Sequence, residues 1–399
     1  MGKRKMMGRR EFLKSATTSL GGFVYLSAAE TRPTDRADDK PFAPTRILGR
    51  TGIKLPLVSM GVMNTDNPQL VRAALDAGYV LLDTAQGYQR GTNEAMIGGI
   101  LKGRPRDSFV IATKASLPKD QATGVYGPDA TEEAFTKKID TSLKSLGLDT
   151  IDIYHHHGPW TRSATQHEPI LSALQKAKQA GKIRWIGVST HRNEPEVIDA
   201  ATDAKVYDVA LPAYNFRQRH VADVQKAIAR AAGAGLGIVG MKSMGGRSEG
   251  AYPSAQVDAR ACIKWVLQDP NVATVICGFT TFDQMALDLT ILKDLTLTAS
   301  EREEIGKASL TAGLYCQGCG ACSRQCAQAL PIPDLMRARM YLHGYRNVAA
   351  AQDLVRSLTL PAEPCADCSA CPVTCTNRWN VSERVRDIVR LRDASPDLV

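Results

Sequence analysis

From Arg46 to Leu292 the chain switches repeatedly between two hydrophobic periods. Short apolar runs alternate with longer stretches in which apolar residues recur every three or four positions. Residues 46–56 read as a hairpin turning at Gly52, and residues 57–61 as a first buried strand. Asn67 and Pro68 then open a helix as N-cap and first helical residue. Leu70, Val71, Ala74 and Leu75 make its apolar stripe, and Gly78 stands where a helix ends. Further strands are predicted at 80–83, 109–114, 152–157, 183–188, 206–211, 237–241 and 273–277. Between and after them, helices are predicted at 93–101, 131–146, 170–180, 197–204, 221–232, 261–268 and 281–292. Eight strand–helix units over about 240 residues match the size and order of a (β/α)8 TIM barrel, an α/β fold, which is assigned to residues 45–298. A doubly wound open sheet would want a glycine-rich phosphate fingerprint directly after its first strand. None follows 57–61, and Gly233, Gly235 and Gly237 precede a strand, as a helix-to-strand turn does.

Residues 299–399 follow a different rule. Ser300 and Glu303 read as a capping box opening a helix. Helices are predicted at 333–343 and 347–358, and Val381, Val385, Ile388 and Val389 mark a last amphipathic one. Eight of the chain's ten cysteines fall here, in two copies of C-x2-C-x2-C-x3-C: Cys316, Cys319, Cys322 and Cys326, then Cys365, Cys368, Cys371 and Cys375. Three thiolates at that spacing wrap three corners of one cubane, and the fourth often reaches the other cluster. The pattern reads as two [4Fe-4S] clusters in a small, mainly helical, ferredoxin-like domain. Structural zinc usually takes two separated cysteine pairs, and a disulfide framework links more distant elements. Cys262 and Cys277 lie outside both copies.

The net charge of +9 is concentrated at the start of the chain. Lys3, Arg4, Lys5, Arg9, Arg10 and Lys14 are opposed there only by Glu11. Arg9 and Arg10 precede Phe12, Leu13 and a weakly apolar run, which resembles a twin-arginine (Tat) signal over residues 1–29. That run is shorter than the roughly 20 residues of a membrane span, so no integral membrane span is expected. A polar linker follows at 30–44. The Tat machinery carries folded proteins, which suits a chain that receives its clusters before export, and it implies a periplasmic or otherwise exported location. Basic residues elsewhere alternate with acids, so nucleic acid is not an expected partner.

Polar residues end three consecutive barrel strands: Asp83, Lys114 and His157, with Tyr88 in the loop after Asp83. That face is where such barrels keep their active sites. Period-two alternation turns His155 and His157 to the same side, and one of them reads as an interior histidine. The segments holding Asp83 and Tyr88, Lys114, and His157 with Gly158 and Pro159 resemble the tetrad segments of aldo-keto reductases. So do the opening at 46–52 and the residues Ile186 to Ser189. The segment starting Met241, Lys242, Ser243 and the cysteine motifs resemble the branch of that family with a ferredoxin-like tail. The resemblance implies that Tyr88 is the acid for a developing alkoxide, that Lys114 lowers its pKa, that Asp83 holds Lys114, and that His157 orients the carbonyl. It also implies an NAD(P)(H) cofactor held by Ser189, Thr190, Met241, Lys242, Ser243, Gly278 and Gln284.

The cofactor pattern departs from the family's. Thr190 stands for an asparagine, Leu211 for a glutamine, Gln284 for an arginine and Asp288 for an asparagine. Three functions follow as expectations. The first is an exported oxidoreductase that interconverts a small carbonyl and an alcohol, with clusters that exchange electrons with a redox partner protein. The second is an electron-transfer or docking protein whose barrel has lost nicotinamide. The third is an ordinary reductase with structural clusters.

Overall fold

The computed structural model describes residues 44–245, 257–310, 315–366, 368 and 370–395. The expected twin-arginine signal and nearly all of the expected linker lie outside the described residues. Residues Lys40–Val399 form one compact unit.

A short hairpin, β1 (Thr45–Ile47) and β2 (Lys54–Pro56), precedes the barrel. The barrel strands are β3 (Val58–Gly61), β4 (Leu81–Asp83), β5 (Val110–Ala115), β6 (Ile151–His157), β7 (Ile183–Thr190), β8 (Val209–Pro212), β9 (Gly237–Gly240) and β10 (Val272–Cys277). They close in sequence order, all parallel, with β10 against β3. The expected (β/α)8 barrel is therefore present, with most strand ends within two residues of expectation. The strand expected from 206 begins only at Val209. Asp208 stands before it, its carboxylate taking the amide of Ile186 at 3.0 Å and the ammonium of Lys178 at 2.6 Å.

Two apolar layers follow from the strand alternation. Inward residues Leu81, Ala112, Ile153, Val209, Leu211, Val239 and Ala273 fill the barrel with Leu48 and Leu55 of the hairpin. Outward residues pack against the helices, as Tyr154 does against Phe135. Arg46 pins the hairpin under the barrel by donating to the carbonyls of Leu267, Asp269 and Val272 at 2.6–3.0 Å. The helices start where their caps place them. Asn67 accepts from Gln69 N ahead of Pro68–Ala77, and Thr131 accepts from Ala134 N ahead of Glu132–Leu146. The capping box of the helix Ala299–Ser309 is formed by Thr298 and Glu301, two residues before the expected Ser300 and Glu303.

The tail is helical and has its own core. Its helices are Ile332–Arg339, running into a π-turn at Met340–Gly344, then Val348–Ser357 and Val381–Val389. Leu335, Met336, Val355, Trp379, Val385 and Ile388 pack together there with Cys322 and Cys365. Among the described residues no helix is long and apolar enough to cross a membrane.

The tail lies over the C-terminal ends of the barrel strands. Its contacts run around that rim: Asn347 to Asn64 after β3, Asp353 to Arg90 after β4, and Ser357 and Thr359 to Gln121 after β5. Ser323 meets Arg192 after β7, Asn377 meets Arg219 after β8, and Tyr345 meets Lys242 after β9.

Candidate active site

Asp83, at the end of β4, and Lys114, on β5, meet as a buried ion pair beneath this roof. Lys114 Nζ also donates to the carbonyl of Thr84 at 2.7 Å. Burial pushes the Asp83 carboxyl up and the Lys114 ammonium down, and their contact opposes both shifts. The ammonium lies 5.1 Å from the centroid of the Tyr88 ring, and the His157 ring stands edge-on to that ring at 6.4 Å. The four sequence candidates therefore converge. Tyr88 is set by an unusual loop: Gln89 and Arg90, directly after it, both have left-handed backbone (φ 50° and 56°). Such residues cost on the order of 1–3 kcal/mol each and cluster at functional sites.

Burial, then Asp83, Tyr341 and Tyr345, hold the Tyr88 phenol well above its ordinary value, and Arg337 of the tail is the cation that opposes them. Lys114, the cation expected in that part, lies 5.1 Å from the ring centroid and is paired with Asp83. Burial, followed by Lys114, His191 and Lys119, pushes His157 well below the usual imidazole range, so it faces the site as a neutral ring. His155 points inward as expected, and Gly187 makes room for it: a Cβ at Gly187 would lie 2.1 Å from its Nδ1. His156 points outward, 2.7 Å from Tyr126 Oη and 3.0 Å from Tyr207 Oη.

The cofactor candidates divide into two sets. Ser189 is buried at the end of β7 with its Oγ lacking a hydrogen-bond partner, an open donor at the mouth. Lys242 faces the mouth after β9, with Ser243 buried beside it. Gly278 has no atom nearer than 3.8 Å to a would-be Cβ. By contrast, the Thr190 hydroxyl donates to the carbonyls of Pro159 and Arg192, both at 2.9 Å. Met241 is packed into the barrel core, and Gln284 turns its amide oxygen back to Thr280 N at 2.8 Å. Thr190 and Gln284 are thus occupied by their own loops.

Several residues at the mouth were not foreseen. His191 follows Thr190, and its ring lies 6.2 Å from that of His157. Continuing the β7 alternation past Ser189 would have pointed to it. Lys119 sits over Trp160 at 4.8 Å, and burial followed by Arg337 pushes it down to about 8. Arg337, Tyr341 and Tyr345 come from the tail, and no local spacing announces them.

The eight tail cysteines form two quartets that cross between the motifs. Cys316, Cys319, Cys322 and Cys375 line one cavity, with Ile332, Met336 and Trp379. Cys326, Cys365, Cys368 and Cys371 line the other, with Leu330, Val373 and Val385. Backbone amides point at sulfur, Gly318 N to Cys316 Sγ and Asn377 N to Cys375 Sγ, both at 3.4 Å. Among the described residues no three His, Cys, Asp or Glu side chains converge closely enough for a single metal ion.

Residues 60–258 match the family model described as the aldo/keto reductase family. The chain is 24% identical over 318 residues to an L-glyceraldehyde 3-phosphate reductase of Escherichia coli K12, covering 65% of this chain and 90% of that protein. It is 29% identical over 267 residues to an aldo-keto reductase of Mycolicibacterium vanbaalenii, covering 65% and 89%. Over 157 residues it is 36% identical to an L-galactose dehydrogenase of Arabidopsis thaliana, covering 36% and 47%. Among solved structures, the holo form of an aldo-keto reductase from Bacillus halodurans superimposes with a TM-score of 0.54 at 25% identity, over 66% of this chain and 95% of that one. A Klebsiella pneumoniae aldo-keto reductase in complex with NADPH shares the fold at a TM-score of 0.53 and 19% identity, over 66% and 95%. The barrel of this chain is an oxidoreductase domain of the aldo/keto reductase family.

Proposed function

We propose that the barrel mouth interconverts a small carbonyl and an alcohol by hydride transfer, and that the tail carries two [4Fe-4S] clusters for electron transfer in an exported protein. The observation that carries the first part is the convergence of the buried Asp83–Lys114 pair with the half-buried Tyr88 and His157. In the reducing direction the alkoxide oxygen needs a proton. Tyr88 is protonated at neutral pH, as its burial dictates, and donates it. Neutral His157 hydrogen-bonds the same oxygen and fixes the carbonyl. The Asp83–Lys114 pair, anchored on neighbouring strands, holds the floor against which Tyr88 rests. NAD(P)(H), when bound, supplies or accepts the hydride, with the open hydroxyl of Ser189 fitting its carboxamide. Relatives named for L-glyceraldehyde 3-phosphate and L-galactose make a sugar-like hydroxycarbonyl the substrate class of choice.

The cysteine quartets support the cluster reading. Each rings a space instead of converging on a point, which suits a polyatomic cubane and not zinc. Amides directed at sulfur are the outer-shell contacts such a site uses to tune its potential. Arg9 and Arg10 support export by the twin-arginine route. A second reading, an electron-transfer or docking protein without nicotinamide, is favoured by the self-occupied Thr190 and Gln284.

One preparation tests these readings. The protein is purified without oxygen and denatured, and the released iron and nucleotides are identified. About eight irons together with NADP(H) or NAD(H) are expected, and iron without any nucleotide would favour the second reading. Clusters serve structure alone if cluster-ligand substitutions leave turnover intact. Tyr88→Phe should lower turnover about a thousandfold, and unchanged turnover would sink the acid role of Tyr88.

A further inference from the structure

The C-terminal ends of β7–β9 and the tail helix Ile332–Arg339 enclose a cavity with room for about 60 Å³ of solvent. Three cationic side chains line it: Arg192 after β7, Lys242 after β9 and Arg337 from the tail. Arg192 Nη1 is buried and has no hydrogen-bond partner; Asp334 Oδ2 lies 4.0 Å away. The rest of that guanidinium is committed, stacked over Trp160 at 4.6 Å and donating through Nη2 to Ser323 at 3.2 Å. Lys242 has left-handed backbone (φ 58°) and gives Tyr345 Oη one hydrogen bond at 2.9 Å. An ammonium has three donors. Arg337 reaches Asp334 Oδ1 at 2.5 Å through Nη2. A third of its side chain is accessible (31%), and it lines this cavity.

Two carboxylates oppose these charges. Asp334 lies between the two arginines, 4.0 Å from Arg192 Nη1 and 2.5 Å from Arg337 Nη2. Glu194 is buried, 2.8 Å from His220 Nε2; burial pushes its carboxyl up and the contact with His220 opposes that shift. Three cations therefore face two carboxylates and the Cys316 thiol in a partly open cavity, with a buried guanidinium donor unmet. An unmet buried donor is costly, and an arrangement of this sign attracts an anion.

The cavity also adjoins the chemistry. His191 lines it, its ring lies 6.2 Å from that of His157, and His157 faces Tyr88. We propose that this cavity binds an anionic group, a carboxylate or a phosphate, of the molecule whose carbonyl reaches Tyr88, with Arg192, Lys242 and Arg337 as its donors. The inference rests on the carbonyl-reducing reading of the barrel and deepens it. The tail then supplies part of the substrate pocket as well as the cysteine quartets, and it selects for acidic substrates.

The test is calorimetric titration of the full-length, anaerobically purified protein at low salt with two probes, oxalate and inorganic pyrophosphate. The wild type should bind at least one of them, and raising the salt should weaken that binding. Arg337→Gln and Lys242→Met should each weaken it about tenfold or more, the scale of one charge-assisted hydrogen bond. Arg337→Lys, which keeps the charge, should lose less. A loss confined to oxalate assigns the site to a substrate carboxylate. A loss confined to pyrophosphate assigns it to a substrate phosphate, and displacement of pyrophosphate by NADPH would give the site to the dinucleotide and overturn the proposal. The proposal is overturned if the wild type binds neither probe at millimolar concentration, or if Arg337→Gln and Lys242→Met bind as the wild type does. Should Arg337→Gln fail to fold, Lys242→Met and Arg337→Lys decide. Binding is read without turnover, so this result stands apart from that of Tyr88→Phe.

Discussion

The barrel and the tail solve the same problem, burying polar chemistry, in opposite ways. In the barrel most buried polar groups find protein partners. Lys114 has Asp83 and the Thr84 carbonyl, Thr113 has Glu94, and His156 lies between two tyrosines. Asp152 accepts the amide of Ile111 and pairs with Arg106 and Arg184. Partners come from neighbouring strands and from the helices and loops packed on them, so forming the barrel satisfies its own polar interior. In the tail, eight thiols ring two cavities and receive few contacts, mostly weak ones to sulfur at 3.4 Å. The barrel core is self-sufficient; the tail core is organised around two spaces ringed by cysteines.

The largest effect should come from removing cysteines in pairs, and it sharpens the comparison because the quartets cross the two motifs. Cys322→Ala with Cys375→Ala removes two ligands from one quartet and should leave about four irons. Cys365→Ala with Cys375→Ala removes one ligand from each quartet and should leave fewer, although both residues lie in one motif. Iron counting on the two double variants checks this. The reverse order would show that each motif serves its own cluster. In both variants the amides of β6 should keep their hydrogen-exchange protection, while those of Ile332–Arg339 should lose it. Equal protection in the tail would break the comparison.

Next in size is the barrel's own weak point. Lys114→Met leaves the Asp83 carboxylate buried without its cation, and removal of one partner from such a pair costs about 3–5 kcal/mol. Thermal unfolding of the barrel should register it. Lys114→Met with Asp83→Leu should recover most of the loss, because no lone charge remains. A double variant as unstable as the single one would mean that packing, not charge, is what Lys114 supplies.

The same contrast explains what could be read from the chain and what could not. The barrel was legible because its periods are local: strands alternate, helices carry an apolar stripe, and Asn67, Thr131 and Gly78 mark their ends. Asp83, Lys114 and His157 were legible because strand ends in a barrel share one face. The crossing of the quartets was anticipated by the x3 offset of each fourth cysteine. Arg337 was not legible, since it belongs to a helix that docks on the barrel through contacts far apart in sequence. Thr190 misled because a hydroxyl at the right position can be spent locally, and only geometry shows its bonds to Pro159 and Arg192.

Asp288 offers the smallest effect and the cleanest separation of barrel from tail. It stands on the rim helix Phe282–Ile291 after β10, yet it is 6% exposed and sits against the Cys277 thiol. Burial pushes its carboxyl up to about 7. A carboxyl raised on folding holds its proton better in the native state than in the unfolded chain. Its contribution to stability is therefore complete below about pH 4 and is lost as the pH rises through about 7. Between those limits the loss should be roughly 2–4 kcal/mol. Asp288→Asn removes the titration, so the variant should match the wild type near pH 4 and exceed it at pH 8. Unfolding midpoints of β6 and β10 amides, followed separately from those of the tail helices, measure this. A gain at pH 8 confined to the barrel supports two independently organised cores. A gain shared equally by the tail would mean that the roof over the active site draws its stability from the strands beneath it.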